Sequence, residues 1–203
     1  MPQVTLIYGT HSWEKPGKTD WWQKNSPLVK FLSERGVTLY QPEYPVKWSG
    51  DLEGTFFAKG PDWVSGAAYV SCYFDHFFGK VPLEERNIIA HSHGGQVLAW
   101  AAYTGVKFNN VMTFGTPVRK DMEMQYASLR MMCKNWLHVC DSKSDLMAVW
   151  GTLFDGRFKV VHENPYATKN CNLPGKIRHS DALVSPDHFH YWESEGWLDF
   201  LHS

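Results

Sequence analysis

The sequence has no apolar run approaching the roughly 18 residues of a membrane-spanning helix, so no transmembrane segment is expected. It has no excess of either charge: 20 basic and 21 acidic residues leave a formal net charge of −1. No long basic stripe is present, which argues against a nucleic-acid partner. The amino end runs from Met1-Pro2-Gln3-Val4 straight into an apolar segment. A basic stretch followed by a long apolar one is missing, so no signal peptide is expected and a cytoplasmic location follows. Cysteine is scarce: Cys72, Cys133, Cys140 and Cys171 show no C-x-x-C spacing. In a chain this long they read as buried thiols, not as a disulfide framework or a zinc site. Internal repeats and low-complexity tracts are also lacking. Nothing in the sequence asks for a metal or an organic cofactor.

What is present is a globular composition, 43% hydrophobic and 15% aromatic, with ten tryptophans. The 203 residues suit one domain over 1–203, able to bury a core without staples. Strand-like and helix-like segments alternate, which predicts a mostly parallel sheet of about six strands with helices on both faces. The expected strands are Val4–Tyr8, Val37–Tyr40, Asn87–Ala90, Val111–Phe114, Leu137–Cys140 and Phe158–Val161. Helices are expected over Asp20–Arg35, Asp62–Phe78, Gln96–Tyr103 and Asp187–Leu201. The Gly-, Pro- and aromatic-rich stretch 42–63 reads as a long excursion above the sheet, and such loops are often functional.

The densest chemical signal is N-I-I-A-H-S-H-G-G-Q-V-L-A-W-A-A, a strand, a tight turn and a helix. Such a turn holds Ser92 with its hydroxyl at the tip, off the carboxyl end of the sheet. Ala90 and Gly94 supply the small residues the crowded turn needs, and Gly95 lets the helix come close to a neighbouring strand. The N–H of His93 opens the helix and points where an oxyanion forms, aided by the helix dipole.

These residues resemble the α/β-hydrolase family, in particular small bacterial lipases and esterases with an A-H-S-x-G-G turn. Ala90 stands where glycine is commoner. The resemblance covers Leu6 to the C-terminal helix through four short motifs, and there is no spare length for a large lid. It implies a Ser-acid-His order along the chain. The acid follows a late strand, and in W-L-H-V-C-D-S-K-S-D-L-M-A-V the family pattern favours Asp145, with Asp141 as a turn-capping alternative. The base sits in a loop before the last helix. R-H-S-D-A-L-V-S-P favours His179, and His188 and His190 are the other candidates. A second oxyanion donor is implied at Thr10 in L-I-Y-G-T-H-S-W, where Tyr8 replaces the usual histidine and His11 is a further pocket candidate. The M-T-F-G-T-P-V segment resembles a site-lining loop and brings in Thr116. V-K-W-S-G resembles an element of small hydrolases and brings in Trp48. Trp13, Trp21 and Trp22 join Trp48 as possible pocket walls.

The implied activity is cleavage of a small-molecule acyl ester through an acyl-enzyme, without a cofactor. A carboxylesterase fits better than a lipase. The same triad also supports acyl transfer or thioester and amide hydrolysis. An aromatic-rich binding module that no longer reacts is a rival from another class. A metal hydrolase built on His188-Phe189-His190 is a third, disfavoured because no further ligand stands at useful spacing. The sequence leaves the oligomeric state open.

Overall fold

The computed structural model describes residues 2–8, 20–39, 82–140, 163–174, 177 and 180–203. Six strands form one sheet: β1 (Gln3–Ile7), β2 (Thr38–Leu39), β3 (Asn87–His91), β4 (Phe108–Phe114), β5 (Cys133–Cys140) and β6 (Lys169–Asn172). Their spatial order is β2-β1-β3-β4-β5-β6, and every pairing is parallel. The helices are α1 (Pro27–Glu34), α2 (Gly94–Tyr103), α3 (Glu123–Met132), α4 (Asp181–Val184), α5 (His190–Ser194) and α6 (Trp197–His202). This is the expected α/β architecture with a six-stranded parallel sheet.

Register sorts the side chains onto two faces. Ile7, Ala90, Thr113, His138 and Asn170 are matched across five strands and share one face. That face is covered by α2 and α3: Ile7 meets the start of α2, and Tyr126 of α3 lies 6.3 Å from Trp136. The opposite face carries Phe114, which stacks on Trp192 at 5.5 Å and meets Trp197 edge-on at 5.3 Å. The C-terminal helices therefore close the second layer, with Phe31 of α1 packing on Phe189. Strands buried on both faces are near-continuously apolar, which is why V-M-T-F and I-I-A read so clearly as strands.

Several boundaries differ from those expected. The 20–35 segment does not form one helix. Ser26 accepts from the Val29 N–H at 3.1 Å as an N-cap and Pro27 begins α1, so Asp20–Asn25 forms turns instead. The single C-terminal helix expected over 187–201 is broken. A 3-10 turn occupies Pro186–His188, and Gly196 at φ 68° separates α5 from α6. β4 and β5 begin earlier than expected, at Phe108 and Cys133. The polar K-N-C-N strand β6 and the helix α3 were not expected at all. The proposed strand Phe158–Val161, the helix Asp62–Phe78 and the excursion 42–63 lie outside the described residues.

At the amino ends of the strands, asparagines replace missing partners. Asn87 Nδ2 donates to the Gln3 carbonyl, Asn109 Nδ2 to Asn87 Oδ1, and Asn135 Nδ2 to Asn110 Oδ1. The candidate site lies at the opposite, carboxyl edge. No helix among the described residues is long and apolar enough to cross a membrane.

The sheet interior also holds a buried polar chain. Trp136 Nε1 donates to Thr113 Oγ1 at 3.0 Å, and Thr113 Oγ1 is hydrogen-bonded to His138 Nδ1 at 2.8 Å. Burial lowers the pKa of this imidazole to about 4 and so keeps it neutral at physiological pH. The unfolded chain binds a proton near pH 6.5 and the folded chain resists until about 4, so stability falls with pH across that window. Urea unfolding is expected to show roughly 2 kcal/mol less stability from this group at pH 5 than at pH 8. His138→Asn should flatten that part of the slope, and an unchanged slope would refute the assignment. On the other face, Trp192 is fully buried with Nε1 donating to the Ala182 carbonyl at 2.9 Å. Trp192→Ala should cost about 3–5 kcal/mol in the same assay.

Candidate functional site

The chain leaves β1 for β2 on one side and leaves β3 for β4 on the other. Open α/β sheets bind ligands at the carboxyl edge where the strand order reverses in this way. Ser92 follows β3 directly at that edge.

Ser92 has φ 51°, the single positive value at a non-glycine among the described residues. This left-handed conformation carries a cost of about 1–3 kcal/mol that the surroundings must offset. They do so by direct restraint. The Ser92 N–H donates to the Phe114 carbonyl at 2.7 Å, and the Gly95 N–H to the Ser92 carbonyl at 3.1 Å. The chain reverses within Ser92 and His93, and α2 starts at Gly94.

The two glycines explain why the reversal is so tight. A Cβ on Gly94 would lie 2.7 Å from the carbonyl oxygens of both Ile7 and Tyr8. A Cβ on Gly95 would lie 2.2 Å from Thr116 Oγ1. The helix is thus wedged between the end of β1 and the loop after β4, and only hydrogens fit at both positions. Thr116 is buried, and its Oγ1 makes no hydrogen bond among the described residues.

His93 heads α2 with its side chain buried. Burial lowers its pKa to about 3, with the Arg119 guanidinium adding to the effect. The Gln96 side chain partly opposes this by lying close enough to favour the charged ring. His93 is therefore neutral at physiological pH and is no proton shuttle there.

Aromatic rings pack at the ends of β1 and β3. Tyr8 stacks on Trp22 at 5.1 Å, and Trp21 meets His91 edge-on at 5.9 Å. Both tryptophans are buried, so they act as foundation beneath the site. The half-buried His188 and the exposed His190 lie 6.5 Å apart by ring centroids. His190 Nδ1 pairs with the Asp187 carbonyl at 2.8 Å, and His190 packs on Tyr191. Among the described residues no group of three or more His, Cys, Asp or Glu is placed to hold a metal.

Ser92, His93 and Thr116 are thus brought together around one turn. Thr10, His11, Trp13, Trp48, Asp141, Asp145 and His179 lie outside the described residues. A polar cluster behind the turn, formed by Gln96, Arg119, Asp121 and Tyr126, was not anticipated. The signal was the R-K-D that follows G-T-P-V, but a charged triplet reads by default as solvated surface.

The wedge makes a direct prediction. Gly94→Ala should lower stability by about 1–3 kcal/mol, because the colliding atoms are backbone. Gly95→Ala should cost about as much, and a second change, Thr116→Ala, should recover part of it by removing the two nearest atoms. Strictly additive losses in a double-mutant cycle would disprove the packing account.

No protein-family model matches the sequence, and no curated protein does. Among solved structures, a dienelactone hydrolase-like promiscuous phosphotriesterase from metagenomic libraries aligns with a TM-score of 0.56 at 13% identity. That alignment covers 99% of this chain and 87% of the other. A protein assigned as a cell surface hydrolase of Lactobacillus plantarum WCFS1 gives 0.45 at 9% identity, over 88% and 84% of the two chains. The histone deacetylase Clr3 gives 0.44 at 12% identity, over 99% of this chain and 32% of that one. Of these three the first alone exceeds 0.5, and at its identity the likeness is one of fold. The chain carries an α/β-hydrolase fold.

Proposed function

We propose that the protein is a serine hydrolase that cleaves a carboxylic ester. The observation that carries this reading is the backbone of Ser92. A left-handed serine stands between a central strand and a helix, at the carboxyl edge where the sheet reverses direction. Strain of this kind gathers at functional sites, and here it lifts one hydroxyl to the tip of the turn.

In this reading Ser92 Oγ attacks the acyl carbonyl. His179 takes the serine proton and returns it to the leaving alcohol. Asp145 orients His179 and stabilises the imidazolium. The N–H groups of His93 and Thr10 receive the oxyanion. Water then cleaves the acyl-enzyme by the same steps in reverse order. His93 contributes its backbone alone, which suits its buried neutral ring. A small-molecule ester is the expected substrate, with Trp13, Trp48, His11 and Thr116 as pocket residues. The same machinery would serve acyl transfer if an alcohol or amine replaced water as acceptor.

A fluorophosphonate probe tests this reading. The wild-type protein should gain one covalent adduct at Ser92, read by mass spectrometry, and Ser92→Ala should gain none. On p-nitrophenyl esters, His179→Ala should lower turnover by about 10³-fold or more, while Asp141→Asn should leave the rate near wild type if Asp145 is the acid. A folded wild-type protein that neither labels nor turns over any ester would end the proposal.

A further inference from the structure

A charged pair lies behind the turn, and the proposed chemistry does not use it. The Arg119 side chain is 1% exposed, while that of its partner Asp121 is 40% exposed. Arg119 Nε and Nη2 donate to the two carboxylate oxygens at 2.9 and 2.6 Å. The Arg119 backbone N–H donates to the Tyr126 hydroxyl at 3.2 Å, which donates in turn to the Pro117 carbonyl at 3.0 Å. Gln96 Nε2 reaches the same carbonyl at 3.2 Å. Gln96 stands one helical turn beyond His93, so these bonds tie the arginine's segment to the first turn of α2.

The two members of the pair do not cancel at the turn. A buried cation acts through protein, where the effective dielectric constant is roughly 20, whereas water screens a half-exposed carboxylate much more strongly. What reaches the helix start is a net positive field. Two groups register it. Arg119 adds to the burial that keeps His93 neutral. Burial raises the pKa of the Tyr126 hydroxyl, and Arg119 offsets this more than Asp121 reinforces it.

We propose that the buried Arg119 guanidinium, held by Asp121 and by the Pro117–Tyr126–Gln96 tie, is a fixed positive charge that stabilises negative charge developing beside Ser92. It touches no reacting atom and acts through space. Its field adds to that of the α2 amino end, and being preorganised it costs no rearrangement during the reaction. The idea rests on Ser92 being the nucleophile.

The test is the second-order rate of fluorophosphonate labelling in folded variants, with the His93 ring followed by NMR. Arg119→Met should slow labelling about tenfold, a modest share of what one direct oxyanion donor supplies. It should also raise the His93 pKa. Arg119→Lys keeps the charge without the fork and should recover most of the rate. Asp121→Asn removes the opposing carboxylate and should label about twofold faster than wild type, since water already screens that charge. If Arg119→Lys and Asp121→Asn are both as slow as Arg119→Met, the pair matters through packing and the proposal fails. Wild-type labelling speed in Arg119→Met overturns it too. Should Arg119→Met not fold, Arg119→Gln takes its place, and wild-type labelling speed in that variant rejects the idea. Absence of labelling in the wild type would instead strike at Ser92 itself, and so at both readings.

Discussion

How close α2 can come to the sheet is decided at Gly94 and Gly95. Their missing Cβ atoms let the helix start press against the Ile7 and Tyr8 carbonyls on one side and Thr116 on the other. A side chain at either position would collide with these atoms and force the helix start or its neighbours to shift. With the helix seated, only two residues remain to reverse the chain, so Ser92 takes a conformation that non-glycine residues rarely adopt. The bond from the Ser92 N–H to the Phe114 carbonyl then fixes the turn to β4. Strand β1, strand β3 and the loop after β4 are thereby locked at one point, and the candidate site is that point.

The same close packing sets the electrostatics. A helix start pressed into a sheet excludes water, so the groups around it titrate far from their usual ranges. His93 and His138 stay neutral because burial makes the imidazolium costly. They sit differently, however. His138 belongs to a closed chain with Thr113 and Trp136 inside the sheet and joins two strands. His93 feels a guanidinium and an amide at the carboxyl edge of the sheet. The first arrangement serves specificity of packing. The second concentrates a positive field where a helix dipole already points the same way.

Much of the fold was legible because its strands are buried on both faces. L-I-Y, N-I-I-A, V-M-T-F and L-H-V-C are mostly apolar runs, and the elbow-like turn follows the second of them. The sixth strand was illegible for the opposite reason. K-N-C-N sits at the sheet edge, so its order comes from pairing with β5 and from Thr168 and Asn170 side-chain bonds, not from hydrophobicity. Helix α3 buries Gln125 between apolar neighbours, which blurs its stripe. The helix errors were errors of punctuation. Ser26-Pro27 and Gly196 are start and stop signals that an apolar period alone passes over. In the site, Ser92 announced itself through small residues at fixed offsets. Arg119 could not, because burial of a charge depends on long-range partners that leave no local pattern.

The tryptophans divide along the same line. Trp21 and Trp22 are buried against His91 and Tyr8, so their aromatic surface is spent on holding the ends of β3 and β1. An apolar lining for a substrate has to come from elsewhere. The chain leaves β1 after Ile7 and β2 after Leu39 at the same carboxyl edge, and the two segments that follow carry Trp13 and Trp48. The aromatic contacts and the glycine wedge hold the turn, which separates the task of keeping its geometry from the task of binding. Substitution at Trp21 or Trp22 therefore bears first on whether the turn keeps its shape, whereas in the proposed function the choice of ester falls to Trp13 and Trp48.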